Sequence, residues 1–125
     1  LFATGFPGWL RHKDVNVHFF HQVAMETHGV RRPGAAALDL AYVACGRLDG
    51  FWEFDLHSWD VAAGLVLVPE AGGRVTDMRG GANQFGEPHL LATNGAVHEE
   101  ILQLFSEVFA GNYRHPLPAV TSFGA

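Results

Sequence analysis

Short apolar runs and longer amphipathic runs alternate from one end of this chain to the other. Apolar runs bounded by glycine, proline or polar residues predict strands, and apolar residues spaced three and four positions apart predict helices. The predicted strands are 1–4, 29–32, 50–54, 73–78 and 89–94. The predicted helices are 14–29, 34–46, 58–73 and 96–109. This alternation favours an α/β layered sandwich, in which helices cover a central sheet.

The segment SWDVAAGLVLVPEAGG, residues 58–73, is apolar on nearly every face, which predicts a single buried helix. Because Pro69 lacks an N–H to donate within that helix, we expect a kink or a loosened last turn there. We also expect Trp59 to pack beneath the first turn and to fix its angle. Beyond the last predicted helix the apolar periodicity fades, so we predict one α/β domain over 1–109 and an irregular tail over 110–125.

The composition is that of an ordinary folded domain. The chain has 125 residues, of which 48% are hydrophobic and 17% charged, and its length is sufficient to bury one core. Its formal net charge of −5 predicts neither nucleic acid nor an anionic membrane as a partner. The longest apolar stretch, Val61–Pro69, is far shorter than the roughly 20 residues of a membrane-spanning helix. The single cysteine, Cys45, suits a reducing, cytoplasmic compartment, and we expect it to be a small buried hydrophobic residue.

Asp60 is an isolated carboxylate at the edge of an apolar segment, so its charge must be hydrated, hydrogen-bonded or neutralised by a cation. One interpretation is that Ser58 or Asp60 caps the following helix, a contact worth about 1 kcal/mol. The other is that Asp60 binds a hard cation such as Mg²⁺, which takes oxygen ligands. The residues alone favour the cap, because caps are common. They also favour Glu53 as a solvated carboxylate at a strand end.

Two longer motifs give these carboxylates a context. The stretches RRPGAAALDLAYVACGRLDGFWE and WDVAAGLVLVPEAGGRVTD resemble the carboxyl-terminal signature of the inositol monophosphatase family, including its W-D-x-A-x-G core and its E-A-G-G turn. The resemblance covers about residues 1–109. It implies the carboxyl-terminal half of that fold, with a mixed central sheet flanked by helices. It also implies a Mg²⁺-dependent phosphatase of inositol phosphates or related small sugar phosphates, homodimeric and often inhibited by lithium.

The same resemblance implies roles for individual residues. Asp60 is implied to be a catalytic residue that binds metal on the leaving-group side, close to the substrate. Glu53, seven positions earlier, is implied to contact a substrate hydroxyl. The turn before the second helix is implied to line the substrate site, at Gly34, Ala35 and Ala36. Many family members have serine or threonine where this chain has Ala35, so we expect hydroxyl recognition to differ in detail while the reaction class does not.

The family's other metal ligands, a glutamate in a G-E-E segment and two aspartates in D-P-x-D-G-T, do not occur in this sequence. A two-metal phosphatase needs several carboxylates to hold its cations and to activate water. We therefore interpret the chain as the carboxyl-terminal half of such an enzyme, inactive alone, with the missing amino-terminal half as its partner. The alternative is a non-catalytic module of the same fold that serves assembly or dimerisation. A lone half would leave sheet and core surface bare, so we expect it to pair or to self-associate.

The remaining polar residues predict no second site. His18 and His21 share a helical face, but they lack the further ligands that a zinc site needs. Asp39 lies within an apolar helix, and the sequence does not decide whether its side chain is buried with a partner or exposed. We expect Asp55 to lie on the surface, and His57 either to contact a site residue or to lie on the surface. The sequence has no G-x-S-x-G segment and no P-loop lysine.

Overall fold

The computed structural model describes residues 1–6, 13–82 and 88–124. Its strands are β1 (Phe2–Thr4), β2 (Val30–Arg31), β3 (Gly50–Phe54), β4 (Arg74–Thr76) and β5 (His89–Thr93). Its helices are α1 (Asn16–Glu26), α2 (Ala36–Ala44), α3 (Ser58–Val61), α4 (Gly64–Glu70) and α5 (His98–Phe109), followed by a short 3₁₀ helix at Val120–Phe123. All five predicted strands are present. Within these ranges, no helix is long and apolar enough to cross a membrane.

The strands form one mixed sheet in the order β2-β1-β3-β5-β4. β1 is parallel to both β2 and β3, whereas β5 is antiparallel to β3 and to β4. The last residue of β1, Thr4, pairs with Trp52 of β3. Because β1, β2 and β3 run in the same direction, their carboxyl ends lie at one edge of the sheet. The predicted α/β sandwich with a mixed central sheet is confirmed.

Two cores lie on opposite faces of this sheet. On one face, Phe2 and Trp52 pack with apolar residues of α1 and α5. On the other face, Ala3 and Phe51 pack with apolar residues of α2 and α4. Successive residues of a strand point to opposite faces. The continuous apolar runs of the strands therefore serve two layers of helices, as is typical of sheets covered on both sides.

The segment 58–73 differs from its prediction. It forms two helices, α3 and α4, which are separated by Ala62 and Ala63. It is also buried on one side only, since Trp59 is 72% exposed and Val66 is 62% exposed. The predicted position of Trp59 beneath the turn is wrong, because its ring stacks on His57 at the surface, with 4.3 Å between the ring centroids.

Pro69 lies in the last turn of α4, which ends one residue later at Glu70, and the Gly72 amide donates to the Pro69 carbonyl, at 2.9 Å. Whether this turn is kinked or loosened stays a prediction, and the break between α3 and α4 lies earlier, at Ala62 and Ala63. The buried face of α4 is the one that contains Gly64 and Val68. A Cβ atom on Gly64 would clash with the side chain of Leu40 in α2. Glycine therefore permits the close approach of α2 and α4, and this approach buries one face of α4 and leaves the rest in solvent.

Cys45 is exposed at the end of α2, so the prediction that it is buried is wrong. Gly46 follows it with a φ of 84°, a left-handed conformation that commonly ends a helix. In the tail, the backbone N–H and carbonyl of His115 bond to the side-chain amide of Gln22 in α1, at 2.9 and 2.7 Å. The boundary between domain and tail near residue 110 stays a prediction.

Candidate active site

A cavity of about 300 Å³ opens at the sheet edge where the three parallel strands end. Small molecules commonly bind α/β sheets beyond the carboxyl ends of their strands, because the loops there project from a rigid base. The segments after β1, β2 and β3 meet the first turns of α2 and α3 at this edge. The lining residues are Gly5, Phe6, Arg32, Gly34, Ala36, Glu53, Leu56 and Asp60.

Four of the five residues assigned to the site from the sequence line this cavity: Gly34, Ala36, Glu53 and Asp60. Ala35 is not among the lining residues, and its carbonyl accepts the first hydrogen bond of α2 from the Asp39 amide, at 2.9 Å. The structure thus brings together residues that are separated by up to 26 positions in the chain. Whether they bind substrate or metal stays a prediction.

Asp60 lies in the short helix α3, and its carboxylate faces back towards the start of that helix. Its Oδ2 accepts a hydrogen bond from the backbone amide of His57, at 3.1 Å, and its own amide donates to the His57 carbonyl, at 2.9 Å. The capping contact that the residues alone favour is therefore present. Within the described ranges this is the one hydrogen bond that the carboxylate receives, so Oδ1 is available to a ligand in the cavity.

Glu53 is the fourth residue of β3, and its carboxyl group lies against the backbone of Gly5, the residue after β1. A Cβ atom on Gly5 would overlap Oε1 of Glu53, so any other residue there would displace the Glu53 carboxyl group. The pKa of Glu53 is raised to about 7, chiefly by burial and then by the negative charges of Asp39, Asp60 and Asp14, while Arg32 opposes the rise. Glu53 is thus a partly buried carboxyl that can hold a proton near neutral pH.

Asp39 is buried behind the cavity, in the first turn of α2. Its Oδ1 has no hydrogen-bond partner among the described residues. Burial raises the pKa of Asp39 to about 6, because a carboxylate without hydration or partners is costly in its charged form. Of the two positions left open by the sequence, the buried one is correct.

Arg32 and Gly5 are pocket residues that the sequence analysis did not identify. The Arg32 side chain donates from Nη2 to the Phe6 carbonyl, at 3.0 Å, and its guanidinium lies 5.5 Å from the centroid of the Phe6 ring. Among the described residues that line the cavity, it is the one with a positive charge. The available signals were a second arginine directly before Pro33-Gly34 and a glycine directly after a strand.

Of the carboxyl groups that line the cavity, that of Asp60 could take part in a metal site. Such a donor suits Mg²⁺, a cation that is held by one or two protein carboxylates together with water and phosphate oxygens. No group of three or more His, Cys, Asp or Glu side chains in the described ranges could hold a metal ion. His18, considered from the sequence as a zinc ligand, stacks on Tyr113 with 5.0 Å between the ring centroids.

Comparison with known sequences places these features in a family. The profile described as the inositol monophosphatase family matches residues 8–110. An inositol-1-monophosphatase of Rhizobium meliloti is 44% identical over 119 residues, which cover 94% of this chain and 41% of that protein. A protein named Nus factor SuhB, from Pseudomonas aeruginosa, is 45% identical over 105 residues, or 82% of this chain and 39% of that protein.

Solved structures show the same likeness in three dimensions. An inositol monophosphatase from Anabaena superposes with a TM-score of 0.78 at 37% identity, over 97% of this chain and 45% of that one. A Thermotoga maritima IMPase superposes with a TM-score of 0.74 at 34% identity, over 89% and 42% of the two chains.

The chain thus spans about two fifths of the length of these relatives. The matched region contains six of the eight residues that line the cavity, all except Gly5 and Phe6. Sequence profile, sequence identity and superposition agree with one another and with the mixed sheet described above. This chain belongs to the inositol monophosphatase family.

Proposed function

We propose that the protein containing this chain is a Mg²⁺-dependent phosphatase that hydrolyses inositol phosphates or related small sugar phosphate monoesters. The observation that carries the proposal is the cavity at the strand ends, in which Glu53 and Asp60 lie together with Arg32 and the start of α2. Family membership supports the same reaction class. The pocket also suits the substrate class, because it combines the positive charge of Arg32 with the carboxyl groups of Glu53 and Asp60, which can bond to hydroxyls, and it is too small for a macromolecule.

In this proposal Asp60 is a metal ligand. Its Oδ2 is held by the His57 amide, so the carboxylate keeps one orientation while Oδ1 faces a cation. When bound, Mg²⁺ supplies electrostatic stabilisation of the phosphoryl and leaving-group oxygens. Asp60 contributes by fixing where such an ion sits relative to the walls of the pocket.

The start of α2 is proposed to bind oxygen atoms of the substrate. The first N–H groups of a helix have no partner within the helix and favour anions or polar oxygens. Gly34 and Ala36 carry no long side chains that would cover these groups, and both line the cavity. Arg32, on the adjacent wall, adds a positive charge that a phosphate group would neutralise.

Glu53 is proposed to orient the sugar ring. Its carboxyl group lies against Gly5 and can accept a hydrogen bond from a ring hydroxyl when ionised, or donate one when protonated. This contact positions the substrate and takes no part in bond breaking. The described residues provide one acidic metal ligand, so we propose that further ligands come from another segment of the protein and that this chain alone is inactive.

The test is Mg²⁺-dependent hydrolysis of myo-inositol 1-phosphate by the whole protein, compared with its Asp60→Asn variant. Asparagine keeps the shape of the side chain and removes its charge, so we expect kcat to fall about 100-fold or more. Asp55→Asn is the matched control, because Asp55 is exposed, has a φ of 56° that asparagine also adopts, and does not line the cavity. Unchanged turnover by Asp60→Asn would contradict the proposed role.

A non-catalytic assembly module is the second candidate function. What favours it is the set of exposed apolar side chains on α2, α3 and α4, namely Leu38, Trp59, Val66 and Leu67. Large exposed apolar residues of this kind often mark surfaces that contact another polypeptide. An assembly module would show no Mg²⁺-dependent hydrolysis in the whole protein, so the same assay separates the two candidates.

A further inference from the structure

Asn16 is a fully buried polar residue at the first position of α1, outside the lining of the cavity. Its side chain uses both of its N–H donors and its acceptor. Nδ2 donates to Oγ1 of Thr4, at 2.9 Å, and to the carbonyl of Gly5, at 3.0 Å. Oδ1 accepts from the indole Nε1 of Trp52, at 2.6 Å. A buried amide with every hydrogen bond satisfied orders the groups around it.

The residues that the Asn16 side chain bonds are the ones next to Glu53. Gly5 is the residue against which the Glu53 carboxyl lies. Trp52 precedes Glu53 in β3, and its carbonyl also accepts a hydrogen bond from Oγ1 of Thr4, at 2.7 Å. Asn16 thus bonds the backbone of Gly5 directly and contacts β3 through the Trp52 indole and, by way of the Thr4 hydroxyl, the Trp52 carbonyl.

The strand ladder does not hold this wall. β1 ends at Thr4, whose partner in β3 is Trp52, and Gly5 lies one residue beyond the ladder. The hydrogen bond from Asn16 therefore fixes the Gly5 carbonyl, which the strand pairing does not reach, and Gly5 lines the cavity. Asn16 is itself anchored, because its backbone amide donates to Oδ1 of Asp14, at 2.9 Å, and α1 packs into the core through Phe19.

We propose that Asn16 is a positioning residue of the active site, which sets the place of the Glu53 carboxyl group through Gly5 and Trp52. The inference rests on the proposed function, in which Glu53 contacts a substrate hydroxyl. A residue that acts only through Glu53 affects substrates that present a hydroxyl to it and spares substrates that do not. A displacement of about 1 Å is enough to lose such a contact.

The first experiment compares Asn16→Leu with the unmodified whole protein on two substrates. Leucine has a similar volume and makes none of the three hydrogen bonds. We expect KM for myo-inositol 1-phosphate to rise about tenfold, the value of one hydrogen bond, with kcat changed less. Both constants for p-nitrophenyl phosphate, which has no sugar hydroxyl, should stay within about twofold. An equal loss on both substrates would overturn the inference.

A double-mutant cycle tests whether the effect passes through Glu53. In a Glu53→Ala background, Asn16→Leu should raise KM no further, because the group that it positions is gone. A full tenfold rise in that background would overturn the inference. Thr76→Val is the control for destabilisation, since it removes another buried threonine hydrogen bond, to His98, away from the cavity. It should lower thermal stability and leave KM unchanged.

Two further measurements keep the inference testable. If Asn16→Leu does not fold, Asn16→Ser replaces it, because serine is tolerated near helix starts and is too short to reach both Gly5 and Trp52. If the whole protein shows no phosphatase activity, the proposed function fails, and a crystal structure of the Asn16 variant decides this inference alone. A Glu53 carboxyl displaced by about 1 Å or more supports it, and an unmoved carboxyl overturns it.

Discussion

Glu53 and Asp60 occupy one cavity but are held there by different means. Glu53 projects from a strand paired on both sides, and its carboxyl group lies on the backbone of Gly5. Asp60 belongs to a four-residue helix and is oriented by a single hydrogen bond from the His57 amide. Glu53 is thus the more rigid of the two, which suits a group that orients a substrate, whereas Asp60 has one oxygen left for a ligand.

Arg32 provides a prediction at the scale of one residue. Replacing it with glutamine removes the positive charge from the cavity wall but keeps a polar side chain. We expect KM for myo-inositol 1-phosphate to rise about tenfold, since a hydrogen bond from a charged group contributes about 1.5–3 kcal/mol, while kcat falls less. Steady-state kinetics of the whole protein give both constants.

The matched control for this prediction is the neighbouring residue. Arg31 carries the same charge, is exposed, and does not line the cavity. Arg31→Gln should therefore leave both constants within about twofold. Equal effects of the two substitutions would mean that general charge steering, and not a pocket contact, is responsible.

The sequence permitted a prediction of Asp60 and Glu53 because they lie in motifs with a recognisable spacing. It could not reveal Gly5, Arg32 or Asn16 as parts of the site. Their roles depend on which strand ends are neighbours in the sheet, and the order β2-β1-β3 is a property of the folded chain. The burial of Asp39 was undecided for the same reason, since a helix pattern that is apolar all round does not say which side faces the sheet.

At the scale of elements, strands were easier to predict than the segment 58–73. β3 coincides with its predicted bounds because glycine and charged residues flank a run of aromatic residues. The segment 58–73 contains small residues throughout, and periodicity cannot tell a buried helix from a helix that packs through one narrow face. That face exists because Gly64 lets α4 approach Leu40 closely, a contact between distant parts of the chain.

His98 joins three elements by side-chain hydrogen bonds. It is the first residue of α5, and its Nε2 and Nδ1 each lie 2.8 Å from a threonine hydroxyl, Thr76 of β4 and Thr93 of β5. Since Thr76 Oγ1 already donates to the Asp77 carbonyl, the neutral ring with a proton on Nε2 satisfies both contacts. The pKa of His98 is lowered to about 4, chiefly by burial and then by the positive charge of Arg74, while Glu99 opposes both.

This lowered pKa makes the contribution of His98 to stability depend on pH. Between pH 6.5, the ordinary pKa of histidine, and pH 4, the unfolded chain binds a proton at this residue that the folded chain does not. The contribution of His98 is therefore complete above pH 6.5 and falls by up to about 3 kcal/mol as the pH drops to 4. The raised pKa values of Glu53 and Asp39 act in the opposite direction over this range, so the effect of His98 is the difference between the protein and its His98 variant. His98→Gln should cost about 1–3 kcal/mol at neutral pH and should lose less stability on acidification. Urea unfolding at several pH values measures both effects.

The control for the pH prediction is an exposed histidine. His28→Gln should reproduce the pH profile of the unmodified protein, because His28 is exposed in the loop between α1 and β2. A His98→Gln profile parallel to that of the unmodified protein would contradict the role assigned to His98.

At the scale of the whole molecule, the alternation of strands and helices was sufficient to predict the layers, since each layer must bury one apolar face. The antiparallel position of β5, next to a parallel β3, was not accessible from local patterns. The chain spans about two fifths of its relatives. Surfaces that contact the rest of a longer protein cannot be identified from local patterns in this chain. We expect such a surface at the exposed apolar side chains of α4.

The last prediction concerns self-association of the 125-residue chain expressed alone. Val66 and Leu67, which are 62% and 46% exposed, lie on a helix held rigidly against α2. We expect this chain to associate in sedimentation velocity experiments, because burying such side chains against another copy gains hydrophobic free energy. Val66→Glu should weaken the association about tenfold or more without unfolding the chain, since burying a charge is costly and position 66 is solvated in the monomer.

The tail supplies the control that makes this result specific. Val120 is even more exposed, at 83%, but it lies in a short 3₁₀ helix rather than on a packed helical face. Val120→Glu adds the same charge and should leave association unchanged if a preformed surface on α4 is responsible. If both variants weaken association equally, net charge is the cause, since each adds to the existing −5. If the unmodified chain is monomeric at all concentrations, the exposed face of α4 is an ordinary solvated surface.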